Sequence, residues 1–121
     1  MIKSINHVQV TIPFGAEEQA RKFYSGILGL VELDKPAVLN ENGGVWFKVG
    51  ALQLHIGCEE NDSRLSSKAH VAFNVESLDA CRARFDKIGI DIFENTQIEG
   101  FLRFDIRDPF GNRIELMEKI D

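Results

Sequence analysis

The stretch Asp108-Pro109-Phe110-Gly111-Asn112-Arg113-Ile114-Glu115-Leu116-Met117-Glu118 decides how this chain is read. Its first half is turn chemistry. Pro109 fixes φ, and Gly111 and Asn112 tolerate positive φ, so a sharp reversal is expected. Its second half alternates: Ile114 and Leu116 point one way, Arg113, Glu115 and Met117 the other, the period-two signature of a half-buried strand. Glu115 therefore stands mid-strand on the face of the apolar Met117. A carboxylate in that setting requires a partner, and a cation is the obvious one. Glu115 is read as a metal ligand whose companions lie upstream.

The 121 residues are expected to form one domain, large enough for a real core. A net charge of −5 with no basic cluster argues against nucleic acid and anionic membrane as partners. No apolar run approaches the ~18 residues of a membrane span, and the N-terminus lacks a signal-peptide core. Cys58 and Cys81 are too few for a disulfide framework, and Cys81 falls on a helical apolar stripe as a reduced core residue. These features predict a cytoplasmic protein.

Upstream, residues 5–12 read as a strand with Val8, Val10 and Ile12 on one face and His7, Gln9 and Thr11 on the other. A helix is expected over 16–27, from Ala16, Ala20, Phe23, Tyr24 and Ile27 at helical spacing, with Gly29 as its stop. A short strand over 30–33 and a polar loop over 34–44 follow. Residues 45–49 and 51–57 form a hairpin turning at Gly50, with Gln53 and His55 on the face opposite Leu52, Leu54 and Ile56. The polar run 59–69 reads as a linker dividing the chain into module 1, about 1–58, and module 2, about 70–121. After it the plan repeats: a strand over 70–75 led by His70, a helix capped by Ser77 with the stripe Leu78, Cys81, Phe85 and Ile88, a short strand over 90–93, then strands over 101–107 and 113–118. His7 and His70, Phe23 and Phe85, and Gln53 and Glu115 recur at an almost constant offset, so each half is a βαβββ unit. The expected fold is α+β: two tandem βαβββ modules forming an open, curved mixed sheet around a cavity.

A lone strand histidine is ordinarily a hydrogen-bonded core or surface residue. His7 and His70 stand out because they occupy one position of a repeat, with Glu115 on the strand facing them. Two imidazoles and a carboxylate bind a divalent first-row cation and leave open positions for substrate or water.

The segments Ile5-Asn6-His7-Val8, Ala20-Arg21-Lys22-Phe23-Tyr24, Leu28-Gly29-Leu30, His70-Val71-Ala72-Phe73 and Asp108–Glu115 together resemble the vicinal-oxygen-chelate superfamily, the glyoxalase, bleomycin-resistance and extradiol-dioxygenase group. The resemblance spans essentially the whole chain. It implies a single glyoxalase-like domain, commonly a homodimer, with His7, His70 and Glu115 as ligands of a divalent metal ion (Zn, Ni, Mn or Fe). It also implies a lyase or isomerase acting on a small α-oxygenated substrate. Glyoxalase I enzymes carry a Glu where the repeat offset here gives Gln53. Gln53 can coordinate weakly through its carbonyl oxygen, and His55 either substitutes as ligand or acts as a general base, the alternative being that it only hydrogen-bonds in the cavity; these two are the candidate catalytic residues. Trp46, Tyr24 and Arg103 are candidate pocket residues, Tyr24 the more readily assigned to the core, while strand parity leaves Trp46 and Arg103 undecided. Three other activities in the group are alternatives: a metal-free bleomycin-resistance-type binding protein, a fosfomycin-type thiol transferase, and an extradiol-type dioxygenase holding Fe(II). The retained triad counts against the first, the few residues after Glu115 against the second, and the missing acid-base histidine against the third.

Overall fold

The computed structural model describes residues 1–120. The chain divides into two compact units, 1–62 and from Ser63 onward, each with its own four-stranded mixed sheet.

In the first unit β1 (His7–Ile12) runs parallel to β4 (Leu52–Cys58), which pairs antiparallel with β3 (Val45–Val49), and β3 with the short β2 (Val31–Leu33). Alternation explains the core. Ile12, Val45, Phe47, Leu54 and Ile56 share the covered face and are at most 1% exposed. Ala20, Phe23 and Tyr24 from the helix are buried with them, and Tyr24 lies 5.9 Å from the Phe47 ring. Tyr24 thus belongs to the core.

The expected single helix over 16–27 is two pieces. Helix α1 (Glu17–Arg21) passes into a wider π-helical segment, Lys22–Ile27, in which Leu28 N donates to Phe23 O five residues back. Ser25 and Gly26, both weaker helix formers than Ala, sit where the turn widens. Gly29, at φ 77°, ends it as expected. The loop over 34–44 contains a 3₁₀ turn, Ala37–Asn42, that composition did not announce.

In the second unit β5 (His70–Asn74) runs parallel to β8 (Arg113–Lys119), β8 pairs antiparallel with β7 (Phe101–Arg107), and β7 with β6 (Phe93–Glu94). Helix α2 (Leu78–Ile88) begins where expected: Ser77 Oγ accepts from Ala80 N, and Glu118 Oε1 takes Leu78 N at 2.7 Å. It ends at Gly89 in the left-handed conformation, and Ile90 N returns to Phe85 O. Ile90 is spent on that cap, so β6 starts at Phe93 and not at residue 90. Leu78, Phe85, Phe104, Ile106, Ile114 and Leu116 form this unit's core.

The Asp108–Asn112 reversal is built by one carboxylate. Asp108 is 4% exposed; its Oδ1 accepts from Phe110 N and Asn112 N, and its Oδ2 from Asn112 Nδ2 at 2.8 Å. Those bonds satisfy a charge that would otherwise be costly to bury. Positive φ is used only at Gly111, 98°; Asn112 stays at negative φ. The run 59–69 is not a loose tether throughout. Arg64 is buried, its carbonyl accepts from Arg107 Nη1, and Leu65 lies against Gly111.

Candidate functional site

Each module gathers its polar residues on the sheet face opposite its helix-covered core. In module 1, His7 leads β1 with Gln53 as its register partner on β4, and Gln9 has His55. Gln53 and His55 are two residues apart and so share that face. His55 is 6% exposed and is sandwiched: the His7 ring stacks on one side at 3.9 Å and the Trp46 ring on the other at 3.8 Å, nearly parallel. Trp46, undecided by parity, is therefore on the site face, directly across from His55. His7, Trp46 and His55 line a cleft of about 460 Å³ that also takes in Gln9, Asn42 and Cys58. That volume suits a small molecule.

Hydrogen bonds assign the ring nitrogens. His55 Nε2 donates to Gln53 Oε1 at 2.9 Å, leaving His55 Nδ1 as the acceptor. One of the two lone pairs of the carbonyl oxygen through which Gln53 would coordinate is thereby spent. His7 Nδ1 donates to Asn6 Oδ1 at 2.9 Å, leaving Nε2 with its lone pair free. Burial among the rings, and then the neighbouring His7, push the His55 imidazole below the ordinary histidine value of 6.5. The sign follows. Because the folded state resists protonating His55, the unfolded chain binds the proton first, and stability falls as pH drops through the ordinary histidine range. Titrating the histidine ring protons of the metal-free protein by NMR is expected to show the His55 midpoint below that of a free imidazole; a midpoint at or above 6.5 contradicts the stacked geometry.

Module 2 holds the carboxylate. Glu115, 4% exposed, uses both oxygens: Oε1 lies 3.0 Å from His70 Nε2, and Oε2 lies 3.0 Å from Arg103 Nη1. Arg103 Nε also donates to Thr96 O, and Arg113 Nε to Asp105 Oδ2 at 2.7 Å. Arg103 is thus on the site face too, across from Met117, while Asp105 stands across from Glu115 as Trp46 does from His55.

The His70–Glu115 contact fits a cation. His70 Nδ1 donates to Lys68 O at 2.9 Å, so in a neutral ring Nε2 carries a lone pair and faces a carboxylate lone pair. Two acceptors at 3.0 Å need either a proton or a metal ion between them. Ligating histidines commonly donate their other nitrogen to a backbone carbonyl in this manner.

Among the described residues no group of three or more His, Cys, Asp or Glu side chains stands assembled to hold a metal ion. His70 and Glu115 are brought together; His7 is brought together with His55 and, through it, Gln53. The repeat count pairs Glu115 with Gln53, but strand pairing gives another correspondence. Glu115 lies two residues beyond His70's register partner, Arg113, just as His55 lies two beyond His7's partner, Gln53. The stretch from histidine to partner is longer in module 1 (7 to 53) than in module 2 (70 to 113), so one constant offset cannot hold through both.

Comparison with known proteins agrees with this architecture. The sequence profile of the Glyoxalase/Bleomycin resistance protein/Dioxygenase superfamily matches residues 4–116. The Arabidopsis thaliana protein "Glyoxylase I 4" is 26% identical over 125 residues, covering 95% of this chain and 70% of that protein. A Bacillus anthracis crystal structure described as of the glyoxalase family is 42% identical, with a TM-score of 0.91 over 99% of this chain and 98% of the other. Lactoylglutathione lyase from Agrobacterium tumefaciens (22% identical, TM-score 0.76, 98% and 95% covered) shares the fold. So does a fosfomycin resistance protein from Listeria monocytogenes (18%, 0.77, 99% and 96%). No helix among the described residues is long and apolar enough to cross a membrane.

Proposed function

The chain belongs to the glyoxalase/bleomycin resistance protein/dioxygenase superfamily, and from that premise we propose that it is a divalent-metal-dependent lyase or isomerase acting on a small α-oxygenated substrate. His7, His70 and Glu115 are the proposed ligands, whether the two modules that complete the set belong to one chain or to two copies of it. The observation that carries this reading is the 3.0 Å approach of His70 Nε2 to Glu115 Oε1 in a ring whose Nδ1 is already spent on Lys68 O. His7 supports it with the same arrangement, Nδ1 spent on an oxygen and Nε2 free.

When bound, the cation would supply stabilisation of negative charge developing on adjacent substrate oxygens. The chain's own residues supply the rest. Gln53 fixes the His55 tautomer, and the stacked rings keep that imidazole unprotonated near neutral pH, so His55 Nδ1 is the proposed base for the proton that isomerisation moves. Trp46 holds the imidazole plane and excludes water from one side of it.

A second reading has its own observation. Arg103 already gives Glu115 a cation, which is compatible with a metal-free ligand-binding protein. Titrating protein purified without added metal with Zn²⁺, Ni²⁺, Mn²⁺ and Fe²⁺ in calorimetry separates the two. Binding of at least one of these ions, lost in His70→Ala, is expected; no binding by the wild type leaves the metal-free reading standing.

A further inference from the structure

We propose that the site face of the second sheet is built to grip an oxyanion, so that the substrate is an α-oxygenated carboxylate, a 2-oxo or 2-hydroxy acid, held by Arg103 and Arg113. This rests on the functional reading above and narrows its substrate class.

The first argument is charge. Residues two apart along a strand share a face. On β7 and β8 the face of Glu115 carries Arg103, Arg107, Arg113 and Lys119 against only Asp105 and Glu115. The whole chain has a net charge of −5, so this one surface runs against the protein's overall sign. A divalent cation held at Glu115 would add to the excess. Such a face favours an anionic ligand and concentrates it from solution.

The second argument is unspent donors. Arg103 uses Nε on Thr96 O and Nη1 on Glu115 Oε2, and its Nη2 has no protein acceptor among the described residues. Arg113 uses Nε on Asp105 Oδ2, and neither of its Nη groups has one. Both side chains are mostly covered, 15% and 22% exposed, yet no buried side-chain nitrogen or oxygen is left unpartnered. The free Nη groups therefore reach solvent from otherwise fixed guanidiniums. Their planes are held in advance by carboxylates, so little side-chain freedom remains to be lost when an oxyanion docks.

The third argument is placement. Arg103 is bonded to Glu115, and Arg113 to Asp105, the register partner of Glu115 on β7, so both guanidiniums lie beside Glu115 on the side away from His70. A carboxylate taken by these two arginines brings the oxygen on its neighbouring carbon toward the His70–Glu115 pair. A neutral diol or ketone would leave the guanidinium donors unused.

The test compares pyruvate with hydroxyacetone, which offers neighbouring oxygens but no charge, by calorimetry on metal-loaded protein, with inorganic phosphate as a third probe. Pyruvate is expected to bind at least about tenfold more tightly than hydroxyacetone. Arg103→Gln and Arg113→Gln are each expected to weaken pyruvate about tenfold and to leave hydroxyacetone within about twofold, with the Lys variants recovering part of the loss. Equal affinity for the two ketones overturns the proposal. So does an equal loss of both in the Gln variants, which would make the arginines mere supports for Glu115 and Asp105. Phosphate binding as tightly as pyruvate overturns the carboxylate assignment. If the wild type takes up no metal, the metal-dependent reading fails on that measurement alone. The same ketone comparison on metal-free protein then decides the oxyanion proposal, with Arg-dependent preference for pyruvate still required.

Discussion

Gly44→Ala is expected to destabilise the first module by more than about 3 kcal/mol. Gly44 sits at φ 88°, and a Cβ there would lie 2.1 Å from the carbonyl oxygen of Ile56. Left-handed backbone alone costs an alanine roughly 1–2 kcal/mol. The contact adds more, because the obstacle is backbone inside β4 and cannot swing away. Relief requires β3 and β4 to separate just where Val45 pairs with Ile56, both 1% exposed. Gly50→Ala is the control: φ is 57°, but nothing lies within 4 Å of its Cβ, so a cost of about 1 kcal/mol is expected. Thermal unfolding should show a fall in Tm of at least about 10 °C for the first and a few degrees for the second. Similar shifts for both would mean that the close approach of Gly44 to Ile56 is not maintained.

Glu115→Ala is expected to cost about 3 kcal/mol of stability and to lower divalent-ion affinity at least about a hundredfold. Removing the carboxylate leaves the Arg103 guanidinium beside apolar Met117 with its counter-ion gone and only Thr96 O to accept from it. Breaking a buried pair from one side costs roughly 3–5 kcal/mol; because Arg103 keeps 15% exposure, the low end applies. Glu115→Gln separates the two roles. It retains an oxygen for Arg103 and should recover about half of the stability, yet without the negative charge it should not recover metal affinity. Denaturant unfolding and calorimetric metal titration of both variants decide this. Stability loss with unchanged metal affinity would make Glu115 a structural counter-ion of Arg103 and not a ligand.

The fold was legible because its signals are local. The alternation of Ile114, Glu115 and Leu116, the turn chemistry at Asp108–Asn112, the Ser77 cap and the Gly89 stop each depend on a few neighbouring residues, and each stands in the structure as read. The helix over 16–27 was legible as an amphipathic stripe but not as an α-helix widening into a π segment, since apolar spacing changes little between the two. The strand expected from residue 90 lost its first residues to the Schellman-type return of Ile90 N to Phe85 O, a competition that propensity does not resolve.

The candidate site was legible in its residue types and only partly in its connections. His7, His55, His70, Gln53 and Glu115 lie on the polar faces assigned to them. Trp46 and Arg103 are not placed by sequence, because parity within a strand says which residues share a face, and only cross-strand partners say which face that is. The stack of His7, His55 and Trp46 fixes the first, and the bond to Glu115 Oε2 fixes the second.

The sequence by itself determined that there are two βαβββ modules, which residues begin and close them, and that a carboxylate stands mid-strand in the second. Alternation, capping and turn formation are settled within a few residues, so composition and spacing suffice for them. Tertiary structure alone decided what Glu115 touches and which residue of the first module corresponds to it. Counting along the chain points to Gln53. Hydrogen-bonded register, set by strands that meet across loops of unequal length, points instead to His55.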